Sequence, residues 1–398
     1  MKHLLQLPLL LLCIVISSKA MAQQNKTMYI FGHSLIVHDP PAISTPSNET
    51  TVPHWLHFLA GEAGNSIAVS GQYGFLEQHD DLPPISQWGF DHVAPAWESD
   101  TENFTDANFD TFLLTAGSHI QGQPANVNYY NSNVSPLSAT LTILDWIDNQ
   151  EPGAVTYIYE NWPELAIFTD HNQGFPPTSE DLENYHERTL GSFHDWWIEY
   201  QDFVHAARPN ENIRMIPVGP IISKLLTETN LDQIPALDLY EDSASHGRPT
   251  LYFLAGLITY MAVYEEKAPS TYTIPNTVNS LVQDNFQSTI DFIWNELLAF
   301  NYSGGSSRVF ANNVLHVISN DSQTNNISVV PNPAKNFVDI ISNHSDYSVD
   351  LFDVKGIKIN ISPEMTHNRV DISNLPDGLY FLKINIDGNQ VVKKILKS

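Results

Sequence analysis

The sequence predicts an α/β domain, built on a parallel sheet covered on both faces, followed by a small all-β sandwich. Three observations predict it. Short apolar runs alternate with helical patterns between residues 28 and 298, the rhythm of repeated βαβ units. A polar stretch of Ser, Asn, Asp, Gln and Thr at 319–326 then breaks the pattern. Beyond it, apolar strands recur at short, even spacing between Gly-containing turns, the pattern of a sandwich. The domain boundaries read as 1–22, 23–318, 319–326 (a linker) and 327–398.

The first segment is a leader. Lys2 and His3 precede an apolar run at 4–16, and Ala20-Met21-Ala22 offers a small-x-small cleavage site before Gln23. That is the pattern of a secretory signal peptide, and the run is too short to span a membrane. The only cysteine, Cys13, lies inside it and follows Leu12 rather than the small residue of a lipoprotein site. The mature chain therefore has no thiol, disulfide or cysteine metal site.

The first strand, 28–31, runs straight into Gly32-His33-Ser34-Leu35. In open α/β sheets reactive groups gather at the carboxyl ends of strands. A helix follows at 52–63, with Trp55, Leu56, Leu59 and Ala60 on one face. Further strands are predicted at 66–70, 111–115, 155–159 and 213–218, and helices at 137–147, 184–207, 250–265 and 278–298. The apolar run at 251–263 contains Tyr252, Thr259 and Tyr260, so it reads as a buried helix and not a membrane span. Two insertions after strand ends, 38–53 and 77–108, are long enough to imply a functional role. Trp88 and Trp97 favour an ordered one.

The charge is uneven. Of 18 Lys+Arg and 45 Asp+Glu, eight of each fall in 327–398, so the whole net charge of −27 belongs to the rest of the chain. Such a surface excludes nucleic acid and anionic membranes as partners. It serves solubility, or a cationic or calcium-bridged substrate.

A serine at the end of strand one needs a base for its proton and donors for an oxyanion. The loop before the buried helix, Leu239-Tyr240-Glu241-Asp242-Ser243-Ala244-Ser245-His246-Gly247, supplies an imidazole and carboxylates together. There the histidine can accept the serine proton and a carboxylate can fix its tautomer. A mid-chain Gly-x-Ser-x-Gly is absent, which argues against an α/β-hydrolase. Strand two runs into Ser70-Gly71-Gln72-Tyr73-Gly74, where glycine lets backbone approach a substrate. Strand three ends in Gly117-Ser118-His119, and strand four in Glu160-Asn161-Trp162. Trp88, Trp97 and Trp162 could stack on sugar rings or simply pack the core. His54 and His57 have no carboxylate at ligand spacing, and His79-Asp80-Asp81 reads as a cation site or a solvated loop. No zinc pattern or phosphate-cradling loop occurs, so neither metal nor cofactor is expected. Each group also has a plain reading: Ser34 as a helix cap, His246 as a loop residue, His119 as a core histidine.

Gly32-His33-Ser34-Leu35 resembles block one of the SGNH (GDSL-like) hydrolase superfamily, with His33 where the family has Asp. The loop carrying Asp242 and His246 is similar to the family's last block. Its spacing is one residue longer than the family's Asp-x-x-His, and Ser243 takes the family's Asp offset. The resemblance implies a flavodoxin-like three-layer α/β/α fold with Ser34 as nucleophile and His246 as base. It leaves Asp242, Glu241 or a backbone carbonyl to orient His246. The implied oxyanion donors are the Ser34 N–H, Gly74 or else Gly71, and a residue at the family's Asn position. His119 stands at that position, with Ser118 beside it and Asn161 as the alternative. The series Val330-Pro331-Asn332-Pro333-Ala334, Leu351-Phe352-Asp353, Leu375-Pro376-Asp377-Gly378-Leu379-Tyr380 and Lys393-Lys394-Ile395-Leu396-Lys397 resembles the C-terminal sorting domain of the type IX secretion system. That implies a bacterium of the Bacteroidota, export across the outer membrane by that machinery, and removal of the tail. A carbohydrate-binding sandwich is the other reading of the same strands. Together the resemblances imply a secreted, cofactor-free serine esterase removing acetyl or other acyl groups from an extracellular polysaccharide. The alternatives are a lipase or broad carboxylesterase, and a non-catalytic surface binding protein on the same scaffold.

Overall fold

The computed structural model describes residues 23–117, 122–169, 175–311, 328–341, 348–353, 358–359, 369–386 and 389–397. The expected signal peptide, the linker and His119 lie outside them. The chain divides into two compact units, Met1–Asn313 and Val314–Ser398.

The first unit is a three-layer α/β/α domain. Its sheet contains β1 (Asn25–Gly32), β2 (Ser66–Tyr73), β3 (Thr111–Leu114), β4 (Val155–Glu160) and β5 (Ile213–Pro217). The order is β2-β1-β3-β4-β5, with every neighbouring pair parallel. The helices are α1 (Val52–Glu62), α2 (Leu76–His79), α3 (Pro136–Gln150), α4 (Ser179–Arg188), α5 (His194–Ala207), α6 (Val218–Glu228), α7 (Ala236–Leu239), α8 (Pro249–Tyr264), α9 (Ser280–Asp284) and α10 (Phe286–Ala299).

Alternate side chains of each strand feed two cores. Met28, Ile30, Leu113, Tyr157, Tyr159 and Ile216 pack with α1, α6, α8 and α10. Tyr29, Phe31, Phe112, Leu114, Ile158 and Met215 pack with α3 and α5 on the other face. Both sets are apolar, which is why these strands read as continuous runs and not as an alternation. The chain leaves β1 for β2 on one side and returns to β3 on the other. The crevice of such a switch point opens at the carboxyl ends of the strands, where Ser34 follows β1.

Helix α8 is apolar on all faces and buried from Thr250 to Tyr264. It lies so close to α1 that a Cβ on Gly256 would stand 2.4 Å from the Cβ of Trp55. Only glycine permits that approach.

Three elements differ from the sequence reading. The expected helix at 184–207 is α4 and α5 joined by a π turn, Thr189–Phe193, where Gly191 departs from helical geometry (φ −104°, ψ −114°). The helix expected at 278–298 breaks at Asn285 into α9 and α10. The last strand stops at Pro217 and α6 begins at once, its apolar face continuing the strand's apolar run and hiding the boundary. The 77–108 insertion is partly core: Trp97 and Phe104 pack on Tyr29, and Ser70 Oγ accepts from the Ala96 and Trp97 N–H groups.

The second unit holds β6 (Ser328–Val330), β7 (Phe337–Ile341), β8 (Ser348–Phe352), β9 (Lys358–Ile359), β10 (Arg369–Asp371), β11 (Gly378–Ile386) and β12 (Asn389–Lys397). They form antiparallel sheets of order β10-β7-β6 and β12-β11-β8-β9. Val338, Ile340, Leu351, Val370, Leu382 and Ile395 share one small core. Among the described residues no helix is long and apolar enough to cross a membrane.

One buried ion pair gives the fold a pH signature. Glu160, at the end of β4, is wholly buried, and its carboxylate oxygens lie 2.8 and 3.0 Å from His194 Nδ1. Burial raises the Glu160 pKa to about 7, and the attraction of His194 offsets this only in part. Burial alone would lower His194, but the charge and hydrogen bond of Glu160 outweigh it and raise it. Both values lie above those of the unfolded chain, so the folded pair keeps a proton that the unfolded chain has released. That stabilisation is complete in acid and is lost as pH rises through the neutral range. Urea midpoints between pH 5.5 and 8.5 will therefore fall more steeply for the wild type than for Glu160→Gln; parallel profiles would show that the pair holds no shared proton.

Candidate active site

β1 ends at Gly32, and the carbonyl of His33 accepts from the N–H groups of Ile36 (2.9 Å) and Val37 (3.1 Å). The strand thus turns abruptly into one helical turn that carries Ser34. The Ser34 carbonyl accepts from the Tyr252 hydroxyl of α8. Its side chain is partly exposed, and among the described residues its N–H has no acceptor. His33, which precedes the serine, is buried. Its Nδ1 accepts from the Leu35 N–H at 3.3 Å, so Nε2 carries the proton and donates to the Ala116 carbonyl at 3.1 Å. That side chain pins the serine turn to the end of β3.

The loop before α8 closes on itself. Tyr240 and Gly247 form an isolated β-bridge, and the Glu241 N–H donates to the His246 carbonyl at 2.7 Å. The residue that lengthens the Asp–His spacing is absorbed at Ser245, which is buried with φ +62°. A left-handed non-glycine costs on the order of 1–2 kcal/mol. Ser245 is held there from both sides: its carbonyl accepts from Trp162 Nε1 and its Oγ from the Leu165 N–H, each at 2.8 Å.

The loop brings three groups into line. Ser34 Oγ lies 2.9 Å from His246 Nε2, and His246 Nδ1 lies 2.7 Å from Asp242 Oδ2. The other Asp242 oxygen accepts from the His246 N–H at 3.2 Å. With Asp242 accepting a hydrogen bond from the Nδ1–H, Nε2 is the acceptor for the serine O–H. Partial burial pushes the Asp242 pKa up, but its bond to His246 outweighs this and holds it below the ordinary carboxylate value. Glu241, the other carboxylate left open by the sequence, is engaged elsewhere. Its Oε1 lies 3.0 Å from His38 Nε2 and accepts from the Ala42 N–H at 2.6 Å. The His38 ring lies flat against His246, with centroids 4.1 Å apart and planes 5° from parallel. Nothing in the sequence links residue 38 to residue 246, and His38 escaped notice there.

The other expected site residues fall elsewhere. Gly71 lies inside β2 opposite Ile30, where a Cβ would stand 2.6 Å from the Ile30 carbonyl oxygen and 2.9 Å from the Trp88 ring. Its lack of a side chain serves Trp88 packing, not an oxyanion. The Gly74 N–H donates to the Gly32 carbonyl at 2.9 Å and is already spent. Asn161 is wholly buried, with Nδ2 2.7 Å from the Ala116 carbonyl and 2.9 Å from Thr115 Oγ1, so it braces the ends of β3 and β4. Trp97 and Trp162 are buried, with indole N–H groups on the Glu102 and Ser245 carbonyls, and neither offers a face to a sugar. Trp88 is half-buried over Gly71. An aromatic ring is exposed here at Tyr73, half open to solvent and paired with Gly32 in the sheet register, a residue the sequence reading passed over in favour of tryptophans. His79 is buried and its Nδ1 lies 3.0 Å from Gln72 Nε2, so it is no part of an exposed cation site. No grouping of His, Cys, Asp and Glu suited to a metal occurs among the described residues.

Comparison with known proteins bears on the two units differently. Residues 328–398 match the family model described as a secretion system C-terminal sorting domain. This part of the chain is a type IX sorting domain, which directs export to the cell surface or beyond. No curated protein matches the chain. Among solved structures, the chain is similar to a carbohydrate esterase family 2 enzyme plus carbohydrate-binding domain from Corynascus thermopiles (Myceliophthora fergusii). The identity is 13%, over 60% of this chain and 66% of that one, with a TM-score of 0.32. The chain thus spans a little under two thirds of that protein's length. It is also similar to a structure named as that of a GDSL-like lipase from Parabacteroides merdae, at 10% identity over 60% of this chain and 95% of that one, with a TM-score of 0.35.

The strained loop carries its own test. Trp162→Phe keeps an aromatic ring in the buried site but trims its volume, and it removes the N–H that holds the Ser245 carbonyl, leaving a buried acceptor unpaired. The substitution is expected to lower the melting temperature by a few degrees, an effect of about 1–3 kcal/mol. It will also displace His246, read as loss of the Ser34–His246 contact in a crystal structure of the variant. A variant as stable as the wild type would show that the loop does not depend on that bond.

Proposed function

We propose that the chain is a secreted serine esterase of the SGNH type, acting on acetyl or other acyl esters of an extracellular polysaccharide. The observation that carries the reading is the unbroken line from Ser34 Oγ through the His246 ring to Asp242, at 2.9 and 2.7 Å. A binding protein on the same scaffold has no need of that alignment, nor of a left-handed serine to preserve it.

In this reading Ser34 Oγ attacks the ester carbonyl carbon as its proton passes to His246 Nε2. Asp242 stabilises the imidazolium that forms. The new oxyanion accepts from the Ser34 N–H, the donor left without a partner at this turn. Collapse of the tetrahedral intermediate breaks the bond to the alcohol oxygen, which leaves with the proton from His246. Water then attacks the acyl-serine with His246 again as base, releasing the carboxylic acid and restoring Ser34. Atoms and protons balance without a further group. The sorting domain supports a substrate outside the cell, and a soluble polymer suits a strongly acidic, hydrated surface better than a lipid interface does.

Full-length protein is expected to release p-nitrophenol from p-nitrophenyl acetate, and acetate from acetylated polysaccharides. Ser34→Ala should lower the rate about 10⁴-fold or more, and Asp242→Asn by about 10²–10⁴-fold, since it spoils the His246 tautomer. Equal rates for wild type and Ser34→Ala would end the proposal. Faster turnover of long-chain acyl esters than of acetate would favour the lipase alternative.

A further inference from the structure

A cavity of about 610 Å3 is lined by Glu241 and Arg248 of the histidine loop, and Glu241 meets the His38 ring that is stacked on His246. Its size suits a small ligand or a sugar unit or two. Two loops wall it: the first insertion, with Ser44 and Thr45, and a later segment with Asn276 and Thr277. Their hydroxyls and amides are the groups that meet sugar hydroxyls. Arg248 lines the same cavity, at the start of α8.

Arg248 is unusual in this chain. The first unit has five arginines among a large excess of carboxylates. Arg208, Arg214 and Arg308 each hold a carboxylate at 2.6–2.8 Å. Arg248 holds none among the described residues, and its Nε is buried without a hydrogen-bond partner. Arg188 Nε is likewise buried without a partner among the described residues, but Arg188 does not line this cavity. The two carboxylates that share the cavity with Arg248 are committed: Glu241 to His38 and the Ala42 N–H, and Asp238 to Asn279 Nδ2 at 2.8 Å. No acidic side chain occupies the first turn of α8, so the positive end of that helix dipole adds to the guanidinium. With the cavity's carboxylates committed, the Arg248 guanidinium is left to meet an acceptor of a ligand.

We propose that this cavity binds an anionic sugar unit, a carboxylate or sulfate ester next to the acylated residue, through the Arg248 guanidinium. The inference rests on the esterase reading for placing the ligand within the substrate, and on the cavity alone for the ligand's charge. The planar guanidinium fork suits an oxyanion held by two bonds. The acidic surface elsewhere repels a polyanion, so recognition depends on a local cation withheld from internal ion pairs.

The test uses full-length Ser34→Ala protein, which cannot turn over a substrate. Calorimetry would compare an oligogalacturonide, a sulfated galactan oligosaccharide and a neutral xylo-oligosaccharide of equal length. At least one anionic ligand is expected to bind about tenfold or more tightly than the neutral one, with the gap narrowing at high salt. Which of them does so separates carboxylate from sulfate. Adding Arg248→Gln should erase the gap, and Arg248→Lys, which keeps the charge without the fork, should retain part of it. Equal binding of neutral and anionic ligands, or a gap that survives in a folded Arg248→Gln protein, would overturn the proposal. Should Arg248→Gln not fold, an undiminished gap in Arg248→Lys would overturn the bidentate contact. Failure of the wild type to hydrolyse p-nitrophenyl acetate would count against the esterase reading alone, because these affinities do not depend on turnover.

Discussion

Burial of α8 on every side is the constraint on which the site depends. A helix with no solvent face has one seat in the domain, and its close contact with α1 at Gly256 and Trp55 fixes that seat to within a fraction of an ångström. His246 lies three residues before the helix, so the loop that carries it is anchored at its far end. The Tyr252 hydroxyl then reaches from the second turn of α8 to the Ser34 carbonyl. Serine and histidine, 212 residues apart in sequence, are thereby located against one rigid body.

The strands complete the arrangement. Parallel order β2-β1-β3-β4-β5 opens a crevice beside β1, and His33 ties the turn there to the end of β3. Asn161 and Thr115 tie β3 to β4 beneath it. Polar side chains at the strand ends thus hold the backbone that presents Ser34, their N–H groups meeting carbonyls and the Thr115 hydroxyl. Such internal commitment explains why several residues of suitable chemistry do not face the crevice.

Much of this was legible in the sequence. The apolar runs and the all-round apolarity of 251–263 announced the sheet and the buried helix, because burial on both faces leaves no other pattern. Ser34, Asp242 and His246 stood out because their chemistry is local: a serine at a strand end, and a histidine with carboxylates on one short loop. What was not legible is set by contacts between distant residues. The choice between Asp242 and Glu241 depended on His38, which arrives from a separate insertion. The role of Gly74 turned on a hydrogen bond to Gly32, and that of Trp162 on a carbonyl of Ser245. A tryptophan announces that it will be buried or will stack, and only its neighbours decide which. The β5–α6 boundary was hidden because strand and helix are both apolar where they join.

The two segments that wall the cavity, 43–50 and 276–283, lie outside the sheet. Residues 38–53 meet the histidine loop through His38 and Glu241, yet the core would survive a change of length at their tips. The segment at 276–283 likewise borders the cavity from outside the sheet. The parts that would perform bond-breaking, and Arg248 with them, are therefore anchored to the buried helix, whereas Ser44, Thr45, Asn276 and Thr277 meet the cavity from loops. Such a division lets preference drift through small insertions and deletions while the serine, histidine and aspartate stay where they are. A scaffold organised in this way can be retargeted among related polymers without being refolded.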